Sequence, residues 1–369
     1  MSTNNSGAGT RSAADYELAR DRLWGAVMDR DEYAAAATVF AMLDDGVPAE
    51  DVLLDVIAGV QRKVGLEWAA NRITVAQEHA ATAINDRVIA ALAHHRASVP
   101  APPAGRVTVA CVDGEWHALP ARLLAEVLRL RGWQVDFLGA QVPTPHLIAH
   151  LHHNGPDAVA LSCSIPTRLP TAHAAITASQ AAGATVLAGG AAFGPDGRYA
   201  YQLGADAWAP DARGAEERLR KGFPPVHAAT TTHQPIDDLP HLADQEYTMV
   251  SRSTSHLVAD TVAQLSDRFP AMRTYDELQL QRTTEDIAHI VDYLATALYV
   301  DHDDLFTGFV TWTAEILEAR GVPGASLRPA LDLLAEQLKD FPRSLRLLGA
   351  AHTALADDTR PSTDDTTIA

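Results

Sequence analysis

Four short apolar runs, separated by amphipathic stretches of helical length, constrain the fold of this chain most strongly. The runs are VTVACV (107–112), VDFLG (135–139), AVALS (158–162) and TVLAG (185–189). Continuous apolar runs of this length are typical of parallel strands that are buried on both faces. The stretches near residues 118–131, 144–153 and 168–182 have the pattern of crossover helices. Residues 106–221 are therefore predicted to form a doubly wound α/β domain, which binds ligands beyond the carboxyl ends of its strands.

Helical patterns fill the chain on both sides of this alternating region. Residues 14–96 contain no strand-like run and are predicted to form an N-terminal helical bundle. Residues 241–355 are predicted to form a C-terminal helical domain, because segments 280–300 and 305–319 have helical periodicity. The chain is thus predicted to combine one α/β domain with two all-α domains.

Two Pro-containing segments separate the three predicted domains. Residues 97–105, ASVPAPPAG, cannot continue a helix, and residues 222–240 are rich in Pro, Thr and His. The polar segments 1–13 and 356–369 are predicted to be disordered tails.

The charge of the chain argues against several classes of partner. The net charge is −18, and the 29 Lys and Arg residues form no basic run. Nucleic acids and anionic membrane surfaces both attract clustered basic side chains, so neither is an expected partner. No apolar run approaches the ~20 residues that span a bilayer, and the N-terminus lacks a secretory pattern, so we expect a cytoplasmic protein. Cys111 and Cys163 lie in strand-like runs and are predicted to be buried free thiols.

A histidine follows the first apolar run, in the sequence Val112-Asp113-Gly114-Glu115-Trp116-His117. A histidine just beyond a strand end lies at the ligand crevice of an open parallel sheet. An imidazole that binds a metal commonly donates its other N–H to a carboxylate, which Glu115 would supply. The alternative is an ordinary solvated histidine in a loop.

Two further elements strengthen the metal-ligand interpretation. Ser162-Cys163-Ser164 stands at the end of the third run, and Gly189-Gly190 closes the fourth. Glycines at a strand end permit the close approach of a bulky ligand, since they carry no Cβ. A histidine, a serine and a glycine pair at the ends of three parallel strands form a specific combination.

These residues resemble the cobalamin-binding domain of methionine synthases, corrinoid proteins and cobalamin photoreceptors. The family motif Asp-x-His-x-x-Gly, Ser-x-Leu and Gly-Gly reads here as Glu115-x-His117-x-x-Pro120, Ser162-x-Ser164 and Gly189-Gly190. The resemblance implies a Rossmann-like (flavodoxin-like) domain that binds cobalamin base-off, with His117 as the lower ligand of cobalt and Trp116 beside it. It also implies that the displaced nucleotide tail lies by Ser162 and the paired glycines. Pro120 and Ser164 depart from the motif and bear on how that tail packs.

The N-terminal bundle carries a second group of candidate residues. Trp68 is followed, after nine residues, by Glu78-His79. Thr74 and Gln77 have the spacing of a capping box, so a helix is predicted to begin near Val75 and to carry the Glu-His pair in its first turns. The alternative is a core tryptophan with a solvated Glu-His pair.

The spacing of Trp68, Glu78 and His79 resembles that of light-sensing cobalamin regulators. In that family a four-helix bundle covers the upper face of the corrin, the Trp packs against 5′-deoxyadenosyl, and the Glu-His pair contacts it. The resemblance implies adenosylcobalamin as the cofactor. Those regulators carry an N-terminal winged helix for which this sequence has no room, so we expect no direct DNA binding. Where some of them have a histidine that binds cobalt after light, this chain has Ala69, which leaves His79 or water for that position.

The C-terminal helical domain carries cationic and aromatic side chains without a recognisable catalytic motif. Its domain order resembles that of the photocobilins, which pair cobalamin with biliverdin. The resemblance implies a non-covalent bilin site. Its predicted residues are Arg252, Arg273 and Arg282 for the propionates, and His256, His289, Tyr293 and Trp312 for the tetrapyrrole. The alternative is a dimerisation bundle with a mixed polar face.

Together these resemblances imply a light sensor and not an enzyme, with adenosylcobalamin and biliverdin as cofactors. Photolysis of the cobalt–carbon bond is expected to change a homo-oligomeric assembly. The alternative is a corrinoid methyl-carrier protein that serves a separate methyltransferase. A ligand-free scaffold is the third possibility.

Overall fold

The computed structural model describes residues 13–95, 102–223, 239 and 244–357. They form two compact units, of which the first holds the N-terminal helices and most of the sheet region. The second holds the C-terminal helices together with segments 165–173 and 202–204. The two predicted linkers and the two predicted tails lie largely outside the described residues.

The N-terminal region is a bundle of four helices. They are α1 (Ala13–Met28), α2 (Glu32–Asp44), a composite third helix made of α3 (Ala49–Asp51), a π-helical stretch (Val52–Ile57) and α4 (Ala58–Ala69), and α5 (Val75–Leu92). The capping box that predicts the start of α5 is present. Thr74 Oγ1 accepts a hydrogen bond from the Gln77 amide at 3.2 Å, and Gln77 Oε1 accepts from the Thr74 amide at 2.9 Å.

The π-helical stretch interrupts the third helix of the bundle. A π turn contains one more residue than an α turn and leaves a backbone carbonyl poorly satisfied. Here Arg20 Nη1 of α1 donates to the Asp55 carbonyl at 3.2 Å. The hydrophobic periodicity of the sequence does not reveal this stretch.

The α/β region contains a five-stranded parallel sheet in the order β2-β1-β3-β4-β5. Its strands are β1 (Gly105–Cys111), β2 (Trp133–Gly139), β3 (Ala158–Ser162), β4 (Thr185–Gly189) and β5 (Ala207–Ala209). Its helices are α6 (Ala118–Leu130), α7 (Thr144–Asn154), α8 (Leu169–Ala181), α9 (Arg198–Gln202) and α10 (Ala212–Lys221). All four predicted strands are present, and the order is flavodoxin-like. The fifth strand escapes prediction because it is only three residues long.

Helix α6 joins the bundle to the sheet through two apolar faces. Leu119, Leu123 and Val127 belong to the core of the bundle. Ala121 and Leu128 belong to the core of the sheet. The bundle therefore packs against the helix that follows His117, and the two domains of the first unit share a hydrophobic connection.

An ionic cluster adds to this connection. Arg131, at the end of α6, donates two hydrogen bonds to Glu50 at 2.7 and 3.0 Å. Arg213 of α10 donates to Glu50 at 3.1 Å, to Asp51 at 3.0 Å and to Asp55 at 2.9 Å. Two arginines of the sheet domain thus bind three carboxylates of the bundle.

The C-terminal helices are α11 (Glu246–Arg268), α12 (Glu277–Val300), α13 (Asp303–Ala319), α14 (Arg328–Gln337) and α15 (Pro342–Asp357). The buried Glu246 fixes the start of α11 against the start of α15, because its carboxylate accepts from the Arg343 amide at 3.0 Å and the Ser344 amide at 2.8 Å. Within the described residues, no helix has both the length and the apolar character needed to cross a bilayer. The predicted fold class, a helical bundle, a Rossmann-like sheet domain and a C-terminal helical domain, is confirmed.

Candidate functional site

The register of the sheet brings the predicted strand-end residues side by side. Cys111 of β1 pairs with Ser162 of β3, and Ser162 pairs with Gly189 of β4. The chain order reverses between β1 and β3, which is the topological switch point where open α/β sheets bind ligands. The loop after β1 carries His117 to the first position before α6 at this same edge.

The buried carboxylate of Glu115 holds His117 in a defined orientation. Glu115 has no exposed surface. Its Oε1 lies 2.6 Å from His117 Nδ1 and accepts the His117 amide at 2.8 Å, while its Oε2 accepts the Ser164 amide at 2.7 Å. A carboxylate surrounded by N–H donors acts as the acceptor, so Nδ1 carries the ring proton. His117 therefore leaves Nε2 for a metal or another ligand.

Trp116 connects this loop with the bundle. Its side chain is half exposed, and its ring lies 4.0 Å from the His117 ring and 6.3 Å from the His79 ring, measured between centroids. The predicted Glu-His pair of the bundle is thus at the same end of the first unit as His117.

The bundle residues predicted for the upper face lie at the facing ends of two packed helices. Trp68 is in the last turn of α4 and packs partly buried against the core of the bundle. Glu78 and His79 lie in the first turns of α5, with Glu78 Oε2 at 2.6 Å from His79 Nδ1. The core interpretation of Trp68 and the ligand interpretation are compatible, since a partly buried ring packs on one side and presents the other.

A narrow cavity of about 120 Å³ extends between α6 and the carboxyl ends of the strands. Ser162, Gly189 and Gly190 line it from the sheet, and Pro120 and Leu124 line it from α6. Gly190 has a φ of +102°, and a Cβ there would lie 2.3 Å from the Cys163 carbonyl oxygen. This glycine is therefore required by the backbone packing of the cavity wall, in addition to any need for ligand approach.

These features fit a cobalamin. His117 would offer its Nε2 atom to the metal of the cofactor, and the half-exposed Trp116 ring lies beside it. The cavity begins at the same strand ends and has a mainly apolar lining with Ser162 and Asp211 as its polar side chains, which can meet the polar groups of a displaced nucleotide tail. Pro120 lies in the first turn of α6, where its missing amide proton costs no helical hydrogen bond.

Both cysteines are buried free thiols, as predicted. Burial, assisted by the nearby negative charge of Glu115, raises the pKa of the Cys111 thiol to about 12. This thiol packs within the sheet and is not suited to nucleophilic chemistry at neutral pH.

The predicted bilin residues fall into two groups. His289 and Tyr293 are one turn apart on α12, the Tyr293 ring stacks on Phe309 at 3.7 Å, and Phe309 lies 6.4 Å from the Trp312 ring. The other four are exposed and are spread over α11, the turn before α12, and the start of α12. They are Arg252 and His256 on α11, Arg273 in the turn before α12, and Arg282 early in α12. Arg273 pairs with Asp267 at 3.1 Å, and His256 pairs with Asp260 at 3.2 Å.

Several residues of these sites were not predicted from the sequence. Phe309 completes the aromatic group of α12 and α13, and its spacing of three from Trp312 is the signal that identifies it. Gln61, Thr82 and Asn85 form hydrogen bonds that lead to Glu78. Thr82 and Asn85 follow Glu78 by four and seven residues, so their polar side chains mark one face of α5.

Comparison with known proteins identifies both domains of the first unit. Residues 105–220 match the family model of the B12 binding domain, and residues 19–93 match a second family model that is also described as a B12 binding domain. The HTH-type transcriptional repressor CarA of Myxococcus xanthus is 31% identical over 157 residues, which cover 41% of this chain and 50% of the repressor. The chain thus spans about half the length of that relative.

Two solved structures are each similar over more than half of the chain. The monomethylamine corrinoid protein of Methanosarcina barkeri is 20% identical with a TM-score of 0.47, covering 56% of this chain and 98% of its own. A cobalamin-binding protein from Desulfitobacterium hafniense DCB-2 is 19% identical with a TM-score of 0.31, covering 57% of this chain and 98% of its own. The two family matches show that the chain carries a B12-binding sheet domain preceded by a B12-binding helical domain.

Proposed function

We propose that this chain is a light sensor that binds adenosylcobalamin, with His117 Nε2 as the lower ligand of cobalt. The observation that carries the proposal is the position of His117 relative to the bundle. Its Nδ1 is held by a buried carboxylate at the strand ends, while Trp116 stacks between its ring and that of His79. A cofactor bound at His117 would therefore meet the helix that carries Glu78 and His79.

The bundle supplies the upper side of the proposed site. Trp68, Glu78 and His79 have the order and spacing of the light-sensing cobalamin regulators, and the similarity to the repressor CarA supports a regulatory role. The adenosyl group would pack on Trp68, and Glu78 with His79 would supply polar contacts. Bound adenosylcobalamin would supply a cobalt–carbon bond that light can cleave, and Trp68, Glu78 and His79 would hold the adenosyl group until then.

Loss of the upper group would remove a packing partner of Trp68. A ligand that contacts one conformation better than another shifts the equilibrium between them, and its loss shifts the equilibrium back. The bundle and the sheet share α6 and an ionic cluster, so a changed bundle would alter the surface of the whole first unit. In this proposal the chain is not an enzyme, and its output is a light-dependent change of homo-oligomeric state.

The test compares dark and illuminated protein loaded with adenosylcobalamin. Size-exclusion chromatography with light scattering should give different molar masses before and after green light, together with a change of the cobalamin absorption spectrum. Protein loaded with hydroxocobalamin is the control and should give one mass in both conditions. Identical dark and light masses at several concentrations would contradict the sensor proposal and leave cobalamin binding intact.

A corrinoid methyl carrier is the second candidate function. Ala69 favours it, because the position that supplies a cobalt-binding histidine in some light sensors has no ligand atom here. A carrier requires His117 and a helical cap but no adenosyl preference. Competitive binding of adenosylcobalamin and methylcobalamin separates the two functions, since a carrier should not prefer the adenosyl form.

We propose further that the C-terminal unit binds biliverdin non-covalently at the aromatic group of His289, Tyr293, Phe309 and Trp312. The support is the parallel stack of Tyr293 and Phe309 beside a half-exposed Trp312. Asp286 lies one turn before His289, and burial raises the pKa of its carboxyl, while His289 opposes the shift. A carboxyl of this kind can meet pyrrole N–H groups in either protonation state.

Biliverdin titration of the full chain tests this second site. Wild type should develop a red-shifted band, and Trp312→Ala should weaken binding about tenfold or more, as expected for loss of a stacked aromatic contact. Arg273→Ala is the matched control, because Asp267 already pairs with this arginine. Equal binding by wild type and Trp312→Ala would show that the bilin does not bind at this aromatic group. Absence of biliverdin binding would favour a role of the C-terminal helices as a dimerisation bundle.

A further inference from the structure

A chain of side-chain hydrogen bonds runs from the core of the bundle to Glu78. Asn85 Nδ2 donates to Gln61 Oε1 at 2.8 Å, and Gln61 Nε2 donates to Thr82 Oγ1 at 2.7 Å. Thr82 Oγ1 in turn donates to Glu78 Oε1 at 2.9 Å. Gln61 belongs to α4 and the other three residues belong to α5, so the chain joins the helix of Trp68 to the helix of Glu78.

The origin of this chain is buried in an apolar environment. Asn85 has no exposed surface, and its neighbours along α5, Ile84, Val88 and Ile89, are buried aliphatic residues. In the described part of the protein Asn85 Oδ1 accepts no hydrogen bond. A polar group in such a core destabilises the fold unless it is bonded, and bonded polar networks select one arrangement of the helices around them. The bundle thus retains a polar network where aliphatic residues would pack more simply.

Every donor in the chain points towards the carboxylate. Hydrogen bonds to an ionised acceptor are the strong ones, and successive bonds with one direction polarise each other. The second oxygen of Glu78, Oε2, lies 2.6 Å from His79 Nδ1, which is also 2.9 Å from the Val75 carbonyl oxygen. A carbonyl oxygen only accepts, so Nδ1 carries the proton and Nε2 is the open ring nitrogen.

We infer that Gln61, Thr82 and Asn85 are positioning residues for the upper face of the cofactor site. They hold the Glu78 carboxylate against His79 and fix the distance between α4 and α5, two turns of helix before Trp68. These hydrogen bonds thereby present Glu78 and the Nε2 atom of His79 to the upper ligand. This relay of hydrogen bonds, from Asn85 through Gln61 and Thr82 to Glu78, exists whether or not the proposed function is correct. Its effect on the upper ligand rests on the proposed function.

Thr82→Val is the informative variant, because it removes the hydroxyl that links Gln61 to Glu78 and keeps the shape of the side chain. Thr82→Ser should restore the link. Thr38→Val is the matched control, since the Thr38 hydroxyl lies in the same bundle and donates only to the Ala34 carbonyl of its own helix at 2.9 Å. All variants are made in the full chain, and their circular dichroism and thermal unfolding verify the fold.

The first measurement is hydrogen exchange of the Gln61 and Asn85 side-chain amides by NMR, in protein without cofactor. Thr82→Val should accelerate exchange of the Gln61 amide about tenfold or more, and Thr82→Ser and Thr38→Val should exchange as wild type does. Unchanged exchange in Thr82→Val would show that the relay does not exist.

The second measurement is the ratio of the dissociation constants for adenosylcobalamin and hydroxocobalamin. Thr82→Val should reduce the preference for adenosylcobalamin about tenfold, with near wild-type affinity for hydroxocobalamin, because His117 is untouched. Accelerated exchange with an unchanged preference would overturn the positioning role. Neither measurement uses light, so a failed light response would contradict the sensor proposal without affecting this result.

Discussion

The Nδ1 atom of His117 lies 2.6 Å from Oε1 of Glu115, a carboxylate that has no exposed surface and that also accepts two backbone amides. The Glu115 carboxylate binds the Nδ1 proton of His117 and so leaves Nε2 as the nitrogen that can bind a metal. The same hydrogen bond fixes the orientation of the imidazole ring. The same 2.6 Å distance joins Glu78 Oε2 to His79 Nδ1, although Glu78 is partly exposed. Two carboxylate–histidine pairs therefore lie on either side of Trp116.

Replacing either member of the first pair should weaken cobalamin binding to different extents. His117→Ala should abolish the spectrum of imidazole-bound cobalamin. Glu115→Gln should raise the dissociation constant by roughly 10- to 100-fold, as outer-sphere changes at metal sites do. Isothermal titration and absorption spectra measure both effects. Glu216→Gln is the control, because Glu216 is another buried carboxylate of the same unit but pairs with Arg220 and not with His117. A wild-type spectrum from His117→Ala would refute the assignment of His117 as the cobalt ligand.

Trp68→Ala should lower the preference for adenosylcobalamin over cobalamins with small upper ligands. Truncating a fully buried tryptophan to alanine costs about 3–5 kcal/mol of stability. The part of that packing energy that Trp68 contributes to the adenosyl group would be lost from the adenosylcobalamin complex. Trp24→Ala provides the comparison, since Trp24 also packs partly buried against the bundle core. Competition binding should show that the preference for adenosylcobalamin is reduced in Trp68→Ala and unchanged in Trp24→Ala. Equal preference in both variants would place Trp68 away from the ligand.

Gly190→Ala should destabilise the first unit much more than Gly183→Ala. Both glycines have positive φ, +102° and +86°, but an added Cβ at Gly190 meets the Cys163 carbonyl at 2.3 Å, whereas Gly183 has open space. A side chain at positive φ costs about 1–3 kcal/mol, and Gly190 combines φ +102° with ψ 163°, a region essentially restricted to glycine, so both its backbone strain and the collision of ~1–3 kcal/mol should make the loss larger there. Urea unfolding measures the difference, and similar losses at the two positions would show that the cavity wall is deformable.

The ionic cluster between bundle and sheet should be sensitive to acid. The hydrogen bonds from Arg131 lower the pKa of Glu50 from its ordinary value of 4.5, burial opposes the shift, and Arg213 adds to it. A lowered folded-state pKa means that the stabilisation is complete above pH 4.5 and disappears as the pH falls below that value. Glu50→Gln should therefore reduce the free energy of unfolding at pH 7 and converge with wild type in acid. A difference that is constant with pH would exclude the charge of Glu50 as the cause.

Four of the five strands were predictable because they are short continuous apolar runs, which are typical of parallel strands buried on both faces. The start of α5 was predictable because Thr74 and Gln77 satisfy the helix end locally. Residues that act over long sequence distances were not. Arg213 contacts Asp51 and Asp55 across more than 150 positions, and Gln61 meets Asn85 only because two helices pack together.

The candidate site divides in the same way. The motif predicts His117, Ser162 and the paired glycines because they follow strands whose ends coincide in a parallel sheet. The second hydrogen-bonding role of Glu115, towards the Ser164 amide, depends on the spacing of β1 and β3 and leaves no trace in the sequence. Among the bilin residues predicted from the sequence, spacing relates His289 to Tyr293, but it does not reveal that Arg273 pairs with Asp267.

The π-helical stretch Val52–Ile57 makes the length of the third helix as important as its composition. At 3.6 residues per turn, each residue added to or removed from a helix rotates everything beyond it by about 100°. Because the π turn holds one residue more than an α turn, winding the same residues as a continuous α-helix would turn Gln61 and Trp68 away from α5, although every side chain of the site would still be present. The rotational position of α4 after the π turn therefore determines whether Gln61 and Trp68 face α5 and the proposed site.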